Sequence, residues 1–161
     1  LEKAILVLDG VSDGKTSFTA IVKEAGYWTW NINHKNVLSM LAGKIGWNGI
    51  RNNQFYDFIK DFHDLSNKYF DFESWYTFSM IDKFLSSDKA NILIVHNCNS
   101  EISKKIQEDY ENCYNILISD KEFENCEYCK TLDFSSNDFK PSVLESIKII
   151  TNNKEIKNIN G

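Results

Sequence analysis

The residues best suited to chemistry are Asp9-Gly10-Val11-Ser12-Asp13-Gly14-Lys15-Thr16-Ser17, which follow directly on the apolar run Ala4-Ile5-Leu6-Val7-Leu8. A buried strand that runs through a Gly-Lys-Thr turn into a helix is the layout of a phosphate-binding loop. Such a loop wraps backbone N–H groups around a polyphosphate and aims a helix N-terminus at it. Lys15 would place a point charge on the β and γ phosphates, and the Thr16 hydroxyl would sit on Mg²⁺. The spacing departs from the full pattern. Counting back from Gly14, the place of the first glycine falls on Asp9, and Gly10 comes one residue later. Carboxylates at Asp9 and Asp13 oppose a bound polyphosphate unless Mg²⁺ or Lys15 offsets them. The plainer reading is a glycine-containing βα turn that carries Gly-Lys-Thr by chance.

The elements that must position this loop follow from periodicity. Residues 4–8 read as a strand buried on both faces, and Thr16 to about Glu24 as a helix with Phe18, Ile21 and Val22 inward and Gly26 as its stop. Residues 27–32, Tyr-Trp-Thr-Trp-Asn-Ile, read as a second strand whose Trp28 and Trp30 share a face turned to the core. Helices are expected over 35–45, 51–69 and 73–85, with Gly46-Trp47-Asn48-Gly49 breaking the first two apart. Strands follow at 91–96 and 114–118, around a helix capped by Asn99 or Ser100 and running to about Tyr110. A polar loop at 120–128, a short strand at 128–134 and a closing helix from Ser136 or Asn137 complete the order. Strands alternating with helices predict an α/β fold of three αβα layers around a five-stranded parallel sheet, with a helical insert between the second and third strands. One domain is expected over 1–152, with the insert at about 35–88, a lid-like loop at about 120–128 and a polar tail at 153–161. Ligands sit at the carboxyl ends of strands in such sheets, so the insert is expected to overhang the loop and offer a second-substrate site.

Bulk properties narrow the partners. A chain of 161 residues, 42% hydrophobic and 14% aromatic, has enough apolar surface for a globular core. Its net charge of −5 speaks against general nucleic-acid binding, which needs a basic face. No apolar run reaches membrane-spanning length, and no signal-peptide pattern opens the chain, so a cytoplasmic location without membrane attachment is expected. Arg51 is the only arginine, while Asn, Ile and Lys abound, a bias expected of an AT-rich genome such as that of a low-GC bacterium or its phage. Phosphate clamps built on guanidinium forks would therefore rest on Arg51, with lysines supplying the remaining positive charge.

Other residues are read more plainly. Cys126-Glu-Tyr-Cys129 has metal-ligand spacing but no second Cys-x-x-Cys or Cys/His pair. With Cys98 and Cys113 it reads as a set of free thiols in a reducing compartment. Phe55, Phe58 and Phe62 form one helical stripe that suits a core, and Asp57, Asp61 and Asp64 a solvated face. His34 and His63 read as surface or cap residues. His96, at the end of a buried strand, is the histidine nearest to where ligands bind.

The segments Ile5–Ser17, Asn33 through Trp47-Asn48-Gly49, the helix holding Asp57, Lys60, Asp61, Asp64 and Leu65, and the strand Ile92–His96 resemble the P-loop nucleoside and nucleotide kinases. The likeness is greatest to the small, divergent deoxynucleoside monophosphate kinase-like proteins of phages and low-GC bacteria, and it spans about the first two-thirds of the chain. It implies transfer of the ATP γ-phosphoryl group to a (deoxy)nucleoside monophosphate, with ATP and Mg²⁺ as cofactors and a small-molecule nucleotide as partner. Asp9, Gly10, Val11, Ser12, Asp13, Gly14, Lys15, Thr16 and Ser17 would hold the donor phosphates, with Thr16 on the metal. Lys15 and Arg51 would be catalytic, Arg51 clamping the acceptor phosphate. Asn33, Lys35 and Trp47 would line the acceptor base and sugar. The chain departs from this family in three places: the altered glycine of the loop, His96-Asn97 where many members offer an Asp, and the acidic stretch Asp120-Lys121-Glu122 where the lid normally carries arginines. The alternative is a catalytically degenerate P-loop protein acting as a nucleotide- or protein-binding module; on either reading the macromolecular partner expected is a second copy, as a homodimer, or another protein.

Overall fold

The computed structural model describes residues 3–96, 98–119 and 129–159, apart from the side chains of 129–130 and 152–159. The lid-like loop at 120–128, Cys126, Lys121 and Asn97 lie outside the described residues, as do the side chains of Cys129, Lys130 and the tail. The chain divides into two compact units, Leu1–Asn31 with Phe84–Gly161, and Ile32–Lys83.

The first unit is built on β1 (Ala4–Gly10), β2 (Thr29–Ile32), β3 (Ile92–His96), β4 (Cys113–Ser119) and β5 (Cys129–Asp133). They form one parallel sheet in the order β2-β3-β1-β4-β5. The register sets Leu6 beside Ile94 and Tyr114, and Gly10 beside Ile118. The runs Ala4–Leu8 of β1 and Ile92–Val95 of β3 are apolar throughout because both faces are covered. On one face Leu6, Leu8, Ile92, Ile94, Ile116 and Ile118 pack with Phe18 and Val22 of α1 (Ser12–Glu24) and with Phe139, Val143 and Ile147 of α6 (Phe139–Ile159). On the other face lies α5 (Ser100–Asp109), where the Ser103 hydroxyl donates to Asn115 Oδ1 at 3.3 Å. Helices α1 and α5 belong to crossovers that run in opposite directions along the sheet, so right-handed connections must place them on opposite faces. Asn99 caps α5 by accepting the Ile102 N–H at 2.9 Å.

The second unit holds α2 (His34–Lys44), α3 (Asn53–Phe70) and most of α4 (Phe72–Ser86). Leu38 and Ala42 of α2 meet Phe55 and Ile59 of α3, with Trp47, Phe62 and Phe72 packed against them. Asn33 caps α2 through the Lys35 N–H, and Asn52 caps α3 through the Phe55 N–H. A single residue, Asp71, joins α3 to α4 in the left-handed region at φ 49°, which Asp enters more readily than most side chains.

Three differences from the sequence reading have physical causes. Helix α1 starts at Ser12 rather than Thr16, because the Val11 carbonyl already accepts the Lys15 N–H at 3.0 Å. Trp28 is 67% exposed while Trp30 packs on Phe84, so the pair does not share a buried face; the Trp28 carbonyl instead anchors the N–H groups of Asn91 and Ile92. His34 is buried and His63 half-buried, because neighbouring helices cover what sequence shows only as the start and the middle of two polar segments.

Candidate phosphate-binding site

At the carboxyl edge of the sheet, β1 leaves to α1 and the adjacent β3 leaves toward α5 on the opposite face. That divergence is the switch point at which open α/β sheets bind ligands. Only Val11 separates β1 from α1, and it caps the helix without a side-chain bond. Gly10 is forced by close approach: its φ is +106°, and a Cβ there would lie 1.9 Å from the Ile118 carbonyl oxygen. Gly14 lies in the first turn of α1, where a Cβ would come within 2.5 Å of the Ile118 side chain. Both glycines thus let the βα turn press against β4.

The backbone donors divide accordingly. The Gly10 N–H goes to Asp9 Oδ1 at 2.8 Å, the Val11 N–H to the Ile118 carbonyl at 3.0 Å, and the Lys15 N–H to the Val11 carbonyl. The N–H groups of Ser12, Asp13 and Gly14, in the first turn of α1, have no side-chain cap and form the anion-facing end of the helix dipole. Lys15 is buried, and its positive charge reaches His96. Thr16 and Ser12 are exposed, with the Thr16 hydroxyl donating to the Ser12 carbonyl at 3.2 Å. Three N–H donors, a helix N-terminus and a buried lysine suit a phosphate group; the exposed carboxylates of Asp9 and Asp13 suit one that arrives with a divalent cation.

His96 closes β3 with its Nε2 3.0 Å from Asn31 Oδ1, which ties the end of β3 to β2. Burial and then Lys15 hold its pKa below 6.5, so the neutral ring donates through Nε2 to the amide oxygen. A cavity of about 690 Å³ lies on the α5 face, lined in part by Asp9, Cys98, Ser103, Lys104 and Asn115. Burial pushes the Cys113 thiol up to about 12, which makes it an inert packing group.

The residues expected on the acceptor side all lie in the second unit. Arg51 is exposed in the link before α3, and Lys35 is exposed in the first turn of α2. Asn33 uses its side chain as the α2 cap. Trp47 stacks on Phe55 at 4.0 Å between ring centroids, donates its Nε1–H to the Ile50 carbonyl at 2.8 Å, and lines a cavity of about 350 Å³ with Asn48, Asn52 and Gln54. Sequence reasoning missed a polar group in the same unit: buried Glu73 with His34 and His63 beside it. No spacing signal marks that group, because its members come from three different helices.

Among the described residues, no helix is long and apolar enough to cross a membrane. No family profile matches the sequence, and no curated protein matches it. A solved structure does match: a gluconokinase from Sinorhizobium meliloti 1021, with a TM-score of 0.52 and 14% identity over 96% of this chain and 97% of that one. At that identity the likeness speaks for the fold alone. Taken with the sheet order and the βα turn, it gives this chain a three-layer αβα fold of the P-loop NTPase type.

Proposed function

We propose that the chain is an ATP-dependent phosphotransferase that moves the γ-phosphoryl group to a (deoxy)nucleoside monophosphate. The observation that carries this reading is the uncapped N-terminus of α1 at the sheet's switch point, with buried Lys15 in its first turn. Ser12, Asp13 and Gly14 would hold donor phosphate oxygens through their N–H groups, and Lys15 would balance charge on the transferring group. Thr16 would turn its hydroxyl from the Ser12 carbonyl to Mg²⁺, which supplies charge neutralisation between the phosphates. On the acceptor side, Arg51 would clamp the monophosphate, and Asn33, Lys35 and Trp47 would hold base and sugar. Catalysis of this kind is positioning plus charge stabilisation.

A second reading is favoured by one observation. The N–H groups of Gly10, Val11 and Lys15 are committed within the protein, which leaves a short anion cradle in place of a wrapping loop. That suits a binding module that holds a nucleotide or docks a protein partner without turnover. Calorimetric titration with Mg-ATP, on wild type and Lys15→Ala, separates the readings. Binding lost in the variant, followed by label transfer to a nucleoside monophosphate, supports the kinase. Gluconate belongs in the same acceptor screen, since the structural neighbour is described as a gluconokinase. Binding without transfer to any acceptor favours the module. No binding at saturating ATP removes the kinase reading.

A further inference from the structure

The group of His34, His63 and Glu73 has no part in the proposed phosphoryl transfer. His34 is the first residue of α2, His63 lies within α3, and Glu73 stands in the first turn of α4. Glu73 Oε2 is 3.2 Å from His63 Nε2, and Glu73 Oε1 is 4.0 Å from His34 Nδ1. One donor atom from each residue falls within 4.8 Å of the other two, and His34 and Glu73 are both buried. We propose that these three side chains form a binding site for a divalent transition-metal ion of the zinc class, which fastens α2, α3 and α4 together.

Three arguments converge. The first is donor chemistry. Two imidazoles and a carboxylate are a zinc-type set, whereas Mg²⁺ and Ca²⁺ prefer oxygen ligands throughout. The second is geometry. Bonds of about 2.0–2.1 Å in a tetrahedron place neighbouring donors roughly 3.3 Å apart. The 3.2 Å pair already meets that spacing. The 4.0 Å pair is longer than a hydrogen bond and within reach of side-chain rotation.

The third argument is support around the ligands. Asp64 Oδ1 faces His63 Nδ1 at 3.6 Å, on the side of the ring away from Glu73. A carboxylate within a small side-chain rotation of Nδ1 can take the Nδ1–H once Nε2 ligates a metal. The Asn67 amide nitrogen lies 3.0 Å from His63 Nε2 and 3.4 Å from Nδ1, straddling the ring, while Asn67 Oδ1 accepts the Glu73 N–H at 2.9 Å. Asn67 therefore fixes Glu73 through its backbone, while its amide nitrogen rests on the His63 lone pair and must yield that atom when a metal binds. One apolar cluster of this unit has Leu38, Ala42, Phe55 and Ile59 as its buried members, and compact units of few buried apolar residues commonly use a metal as a staple. Three protein donors leave one position for water.

The test uses the full chain, stripped with a chelator and then titrated with Zn²⁺ and, separately, Co²⁺. One equivalent of zinc should bind and raise the Tm, and the cobalt form should show tetrahedral bands without thiolate charge transfer. Glu73→Gln, close in size to the native residue, should lose both effects. Asp64→Asn should weaken zinc binding about 10- to 100-fold with unchanged circular dichroism. A Cys126→Ser/Cys129→Ser double variant should bind as wild type does. The proposal is overturned if wild type takes up no zinc, if Glu73→Gln binds normally, or if only the cysteine variant loses binding. Should Glu73→Gln not fold, the wild-type cobalt spectrum decides, since thiolate bands or no bands at all exclude the site.

Discussion

The two units of the chain reach stability by different routes. The first is apolar through its centre: Leu6, Leu8, Ile92 and Ile94 are fully buried, and their partners come from α1 and α6. The second has an apolar cluster of its own and also buries polar groups, among them His34, Ser66, Glu73 and Thr77. Burial of apolar side chains is non-directional and tolerant, whereas a buried polar group stabilises only when its partner stands in the right place. The first unit is therefore sensitive to lost volume, and the second to lost partners.

Substitutions can sharpen that contrast. The largest effect is expected from Ile94→Ala, which should cost about 3–4 kcal/mol by opening a cavity in the sheet core; Phe58→Ala, on a side chain 39% exposed, should cost under about 1 kcal/mol. Urea unfolding compares them, and equal costs would erase the distinction. Gly10→Ala should cost about 3 kcal/mol, because its Cβ meets the Ile118 carbonyl and its φ is positive. The same melts, with Mg-ATP titration on the folded fraction, check whether the βα turn has shifted. In the second unit Asn67→Ala should cost about 1–2 kcal/mol in metal-free protein, since it strips the Glu73 N–H of its acceptor and frees the His63 ring. A neutral result in denaturant titration would mean that water replaces the amide.

The smallest expected effect is a pH dependence. His96 is held below its ordinary 6.5 by burial and by Lys15. Above that pH both folded and unfolded chains carry neutral imidazole, so this residue gives no slope. Below it the unfolded chain takes up a proton that the folded one resists, and stability falls until the folded imidazole protonates as well. His34, also lowered by burial, adds to the same fall. Thermal melts between about pH 7.5 and about pH 5 should show a shallower fall in His96→Gln than in wild type. Identical slopes would remove His96 as a contributor.

The sheet was legible because its strands are short apolar runs bounded by polar turns, a pattern that a doubly covered parallel sheet requires. The βα turn was legible in position but not in detail. Gly14-Lys15-Thr16 marks a helix start, yet nothing local reveals that Gly10 and Gly14 are fixed by Ile118, more than a hundred residues away in the chain. Trp28 illustrates the same limit in the other direction, since alternation names a face without saying whether anything covers it. His34, His63 and Glu73 were illegible for a stronger reason. Their separations match no ligand spacing, and only the packing of three helices brings them together.

The register of β1 also bears on how the chain is made. Ala4 pairs with Ile92, and Ile5 with Cys113, so the central strand is synthesised long before either neighbour. At ribosomal speeds the run Ala4–Leu8 waits roughly 5–20 seconds for its first partner. Throughout that interval it is an unpaired apolar segment, the kind that holdase chaperones bind. The second unit, made in the same interval from contiguous sequence, can form its contacts without waiting.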